Sequence, residues 1–112
     1  MSPLQAPILH SDVFGFTERN WRTLHAVFSC FSTVKEVLLF GSRASGTHRP
    51  YSDIDFCIIN LDFDQQQYLS IVAAFEESDL PFFVDVLVWH RLQNEALKAE
   101  ITRTGKVFYT QL

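Results

Sequence analysis

The sequence predicts a single α/β domain in which helices pack on a sheet. Two observations point there. Four short apolar runs, at residues 36–40, 53–60, 82–89 and 106–109, alternate with stretches whose apolar residues return at helical spacing. The chain has 112 residues, 47% of them hydrophobic, which suffices for one core but not for a second lobe.

Residues 1–15 carry Pro3, Pro7 and Gly15 without sustained periodicity. They are expected to form an N-terminal arm, with residues 16–112 as the folded domain. Thr17 is placed to cap a helix that ends near Ser32, with Trp21, Leu24, His25, Phe28 and Phe31 on one stripe. His25 reads as a core or rim histidine rather than a ligand. Residues 36–40 form the first strand, apolar enough to be buried on both faces. It breaks at Gly41-Ser42-Arg43-Ala44-Ser45-Gly46, where Ser42 to Ser45 suit the first turn of a short helix. A loop with His48, Arg49, Pro50 and Tyr51 leads to the second strand at 53–60. Asp62 and Asp64 offer caps for a helix over 65–77, which Pro81 separates from a third strand at 82–89. A last helix over 90–103 stops at Gly105, before a short final strand.

The chemistry is concentrated in residues 40–60, which read FGSRASGTHRPYSDIDFCIIN. Asp53 and Asp55 stand at i and i+2 at the opening of a strand, so both carboxylates point to one face. Side by side they repel and raise each other's pKa unless a cation lies between them. A hard divalent ion such as Mg²⁺, with its preference for oxygen ligands, would satisfy both. Upstream, the Gly41-Ser42 turn lets the backbone approach a ligand, and its N–H groups and the Ser42 hydroxyl could hold a phosphate. Asp85 is the one charge in the third apolar run. A lone buried carboxylate is costly unless it is paired or metal-bound. Its bland alternatives are a salt bridge or a strand end at the surface; beside Asp53 and Asp55 the metal reading is preferred. Arg43 suits either a phosphate contact or a surface salt bridge. Ser52 suits strand entry better than phosphate binding, and His48 and Arg49 read as solvated loop residues.

Gly-Ser, a gap, then Asp-x-Asp resembles the signature of the polymerase β-type nucleotidyltransferases. In the form GSRASG and SDIDF it is similar to the minimal nucleotidyltransferases (MNT proteins), the small partners of HEPN proteins in toxin–antitoxin pairs. The resemblance runs from about Glu36 to the C-terminus. It implies a polymerase β-like fold with a mixed sheet and the active site at one end. It implies two Mg²⁺ ions held by Asp53, Asp55 and Asp85, a nucleotide on Gly41, Ser42 and Arg43, and AMP transfer from ATP to a tyrosine hydroxyl of a HEPN ribonuclease toxin. It also implies a hetero-oligomer with that toxin. The sequence departs from the pattern at Ser45, where many relatives carry a second arginine; this leaves the three acids untouched.

Composition bounds the alternatives. A formal charge of −4 gives no general attraction for nucleic acid and argues against a polymerase-like grip on DNA or RNA. No apolar run reaches the ~20 residues of a membrane helix, and the N-terminus lacks the pattern of a secretory signal. A cytoplasmic protein is expected, with Cys30 and Cys57 as small buried hydrophobes. Eleven phenylalanines suggest that an apolar patch is left for a partner. Two other functions fit the same features: an antitoxin that binds nucleotide without catalysis and masks its partner, and a nucleotidyltransferase for a small molecule. The second usually needs a substrate domain for which there is no room.

Overall fold

A computed structural model describes residues 14–111. The element order is α1 (Glu18–Ser29), β1 (Glu36–Phe40), α2 (Ser42–Ser45), β2 (Ile54–Ile58), α3 (Tyr68–Glu76), β3 (Val84–Val88), α4 (Glu95–Thr104) and β4 (Lys106–Thr110). The strands form one sheet in the order β3-β2-β1-β4. β1 is antiparallel to both β2 and β4, while β2 and β3 run parallel, so the sheet is mixed, as expected. No helix among the described residues is long and apolar enough to cross a membrane.

Local chemistry sets the element ends. Thr17 caps α1, its hydroxyl accepting from the Asn20 N–H at 3.0 Å. The helix stops at Ser29, short of the expected Ser32, so Phe31 packs from the turn that follows. The 65–77 helix splits: Asp64 caps a 3₁₀ turn over Gln65–Gln67, and α3 starts at Tyr68. The last helix begins later than residue 90, because Asn94 is the true cap and accepts from the Leu97 N–H at 3.1 Å. Trp89–Arg91 form a separate 3₁₀ turn.

Strand alternation divides the packing into two clusters. Val37, Leu39, Ile54, Phe56, Ile58, Val86 and Val88 face α1 and α3 and meet Leu24, Phe28, Ile71 and Phe75. Phe40 and Cys57, with the partly buried Leu38 and Leu87, face α4 and meet Ile101. A register shift between β1 and β4 leaves Phe108 without a pairing partner between Val107 and Tyr109. Phe108 and Tyr109 are thereby both buried in the first cluster, the effect of an extra residue in one strand.

Eight of the eleven phenylalanines are buried, and only Phe83 is broadly exposed. The aromatic surplus therefore fills the core rather than a surface patch. His25 is a rim histidine, as expected, with Nε2 3.0 Å from the Phe108 carbonyl. Cys57 is buried, but Cys30 follows the end of α1 and is exposed, contrary to expectation. Of the expected N-terminal arm, residues 1–13 lie outside the described residues; Phe14 is buried in the first cluster.

Candidate active site

The expected acids come from the starts of two parallel strands. Asp55 is the second residue of β2 and Asp85 the second of β3, and they are register partners. Neighbouring residues in register present side chains to the same face. Asp53 lies two residues before Asp55, just ahead of the strand. The convergence registers electrostatically. Burial, then the charge of Asp85, then that of Asp53 hold the Asp55 carboxyl above the usual carboxylate range.

Gly41 closes the other side. Phe40 pairs with Asp55 across β1 and β2, so the residue after Phe40 lies over that carboxylate. A Cβ on Gly41 would stand 2.6 Å from Asp55 Oδ2. Its backbone, at φ 79° and ψ −154°, occupies a region essentially reserved for glycine. Gly41 is also the N-cap of α2, which places Ser42 at the first helical position. The N–H groups of a first helical turn lack intrahelical acceptors and point outward from the helix start. The Gly41-Ser42 turn and the acids thus share one end of the sheet.

Arg43 does not join them. It is 1% exposed and points into the protein, so it is neither a phosphate contact nor a surface salt bridge. Its guanidinium donates to the carbonyls of Phe14, Pro50 and Ser52 at 3.1–3.3 Å and lies over the rings of Phe16 and Phe82. Ser52 braces the loop: its hydroxyl accepts from the Arg49 N–H at 2.7 Å. His48 is half-buried rather than solvated, with its ring against Gly15, while Arg49 is exposed.

Tyr68 carries no chemical signal in the sequence. Its hydroxyl donates to the Val86 carbonyl at 2.8 Å, which ties α3 to the edge strand β3 next to Asp85. Burial and the nearby Asp85 charge push its pKa up.

The donor set fits a hard cation. Asp53, Asp55 and Asp85 offer only carboxylate oxygens, the chemistry that Mg²⁺ prefers. Gly41 adds no Cβ beside them. Among the described residues no three acidic, histidine or cysteine side chains are already drawn together at metal-holding distance. Mutually repelling carboxylates are expected to stand apart until a cation joins them.

Residues 22–111 match the family described as Polymerase beta, Nucleotidyltransferase. The chain belongs to this family. Over 56 residues it is 48% identical to the probable protein adenylyltransferase MntA of Haemophilus influenzae, a match covering 47% of each chain. The aligned part thus spans about half the length of that curated relative. Two solved structures share the polymerase β-type fold. A crystal structure of a toxin–antitoxin with AMP-PNP superposes with a TM-score of 0.64 at 22% identity, over 82% of this chain and 74% of that one. A structure described as that of a nucleotidyltransferase from Sulfolobus solfataricus gives 0.52 at 19% identity, over 99% and 89%.

Proposed function

We propose that this polymerase β-family chain is a Mg²⁺-dependent nucleotidyltransferase that acts as an antitoxin. It transfers AMP from ATP to a tyrosine hydroxyl of a HEPN ribonuclease toxin. The observation that carries the reading is the pairing of Asp55 with Asp85, with Gly41 packed on the Asp55 carboxylate. The MntA relative, a probable protein adenylyltransferase, supports a protein acceptor. The toxin–antitoxin neighbour supports the biological setting, and its AMP-PNP supports an adenine nucleotide.

Asp53, Asp55 and Asp85 hold the metal, as two ions. Bound there, divalent ions neutralise phosphate charge and lower the pKa of the attacking hydroxyl. Gly41 and Ser42 receive the triphosphate on backbone N–H groups, whose dipoles stabilise the charge that builds on it. The tyrosine oxygen attacks the α-phosphorus in line. The new bond joins that oxygen to phosphorus, the bond to the β-phosphate oxygen breaks, and pyrophosphate leaves. Asp85, on the edge strand, takes the hydroxyl proton. A phosphate-bearing tyrosine near a ribonuclease site repels RNA, which accounts for neutralisation.

The test is label transfer. The protein and its Asp53→Asn/Asp55→Asn variant are incubated with Mg²⁺, α-labelled ATP and a lysate containing the toxin. One labelled protein with wild type and none with the variant is expected. No labelled protein in either case removes the reading. One observation favours masking without catalysis: a groove of about 460 Å³ lined by Leu38, Ile59, Leu61, Trp89, Ile101 and Thr102, with Leu61 74% exposed at the surface. Neutralisation that survives in the Asp53→Asn/Asp55→Asn variant would establish it.

A further inference from the structure

We infer that Arg43 is a positioning residue, a buried bolt that fixes the Asp53 loop to the phosphate turn. The inference rests on the function proposed above and assigns Arg43 a role at that site which involves no contact with nucleotide. Four pieces of the chain meet on its side chain. Its backbone lies in α2, one residue after Ser42. Nε and Nη2 donate to the Ser52 carbonyl, at 3.3 and 3.1 Å, and Ser52 immediately precedes Asp53. Nη2 also reaches the Pro50 carbonyl at 3.3 Å, so the segment before Asp53 is held at two points. Nη1 donates to the Phe14 carbonyl at 3.1 Å.

The rings extend the same unit to the third acid. The guanidinium carbon stands 5.0 Å from the Phe16 ring centre and 4.8 Å from that of Phe82. Phe82 lies just ahead of β3, three residues before Asp85. The backbone at this point is tied as well, because the Ile54 N–H donates to the Phe83 carbonyl at 2.9 Å. One side chain therefore bridges the turn that receives phosphate, the residue before Asp53 and the entry to the Asp85 strand. A planar fork with donors on several nitrogens can serve three carbonyls while resting against two rings. A lysine ammonium keeps the charge and loses the fork. The loop that carries Asp53 is otherwise exposed: Thr47, Arg49, Pro50 and Tyr51 all face solvent. Without the bolt, Asp53 hangs on a loop with few tertiary ties.

Residues that orient metal ligands typically change metal affinity about 10- to 100-fold when replaced. The experiment compares wild type with Arg43→Lys and with Phe82→Leu, which removes one of the two rings against the guanidinium should the lysine variant fail to fold. Three quantities are read on the full chain: melting temperature, hydrogen exchange of amides 47–55, and Mn²⁺ affinity by electron paramagnetic resonance. Faster exchange confined to 47–55, with Mn²⁺ affinity down about tenfold or more, is the expected result. In the transfer assay kcat falls more than KM for ATP changes. A lower melting temperature with unchanged exchange in 47–55 and unchanged Mn²⁺ affinity would make Arg43 a stability residue only and overturn the inference. Failure of the underlying functional reading shows differently. Wild type would then bind no Mn²⁺ and transfer no label, while the exchange pattern still decides whether Arg43 fixes the loop.

Discussion

The two faces of the sheet are built from the same strands and hold opposite kinds of interaction. On the α1/α3 face, Ile54, Phe56 and Ile58 are fully buried. Phe56 packs in an aromatic cluster, 5.0 Å from Phe28 in an edge-on arrangement and 4.8 Å from Phe108. On the α4 face the intervening residue of the same strand is Asp55, whose ionised form is disfavoured by burial and two neighbouring carboxylates. Period-two alternation lets one strand stabilise the domain with one set of residues and present chemistry with the other. The faces also differ in cover. α4 protects Phe40, Cys57 and Ile101, yet an apolar groove stays open along Leu38, Ile59 and Trp89.

Substitutions on the two faces should therefore fail in different ways. The largest effect is expected on the acidic face: Asp53→Asn or Asp55→Asn should lower label transfer by at least about 10²–10³-fold, as loss of a transition-state electrostatic group does. Circular dichroism should show the fold intact. On the opposite face, Phe56→Ala should destabilise the domain by about 3–5 kcal/mol, read as a lower denaturation midpoint. If Phe56→Ala were well tolerated while Asp55→Asn unfolded the chain, the division of labour would be reversed. Gly41→Ala lies at the junction. Its backbone strain should lower stability by about 1–3 kcal/mol, and the new methyl displaces the Asp55 carboxylate, so transfer should fall more than stability alone explains. The smallest test uses the thiols. Burial pushes the Cys57 thiol up to about 12, whereas Cys30 is exposed. One thiol should react with a disulfide reagent in the native protein, and two after denaturation.

What could be read from the sequence was local. The break at Gly41 ends β1 at Phe40 and starts α2 at Ser42, as read. Asp-x-Asp at a strand entrance places two acids on one face through strand geometry alone. Asp85 stood out because a charge interrupts an apolar run, but its pairing with Asp55 is a long-range register that no local pattern encodes. Arg43 was misread for the same reason. Its neighbours in sequence are a phosphate-type turn, whereas its partners are the Phe14, Pro50 and Ser52 carbonyls and two distant rings. The phenylalanine count suggested a surface patch; the shift that turns both Phe108 and Tyr109 inward shows how a small core absorbs more aromatics than alternation allows. Cys30 looked buried from its apolar neighbours, yet α1 ends one residue earlier and leaves it outside.

An acidic face built for a cation comes at some expense to the metal-free fold. In the folded chain Asp55 keeps its proton to a higher pH than in the unfolded chain. The folded state then binds more protons between those two pKa values, so stability falls as pH rises through that window, and the loss is complete above the folded-state value. Asparagine carries no such penalty. Thermal melting of wild type and Asp55→Asn at neutral pH, with and without Mg²⁺ and ATP, is the test. Without metal the variant should melt higher, and the difference should shrink on acidification through the carboxylate range. With Mg²⁺ and ATP the order should reverse, because only wild type gains a ligand-linked increment. A variant no more stable than wild type without metal, and stabilised equally by Mg²⁺ and ATP, would show that Asp55 neither strains the metal-free fold nor binds the cation.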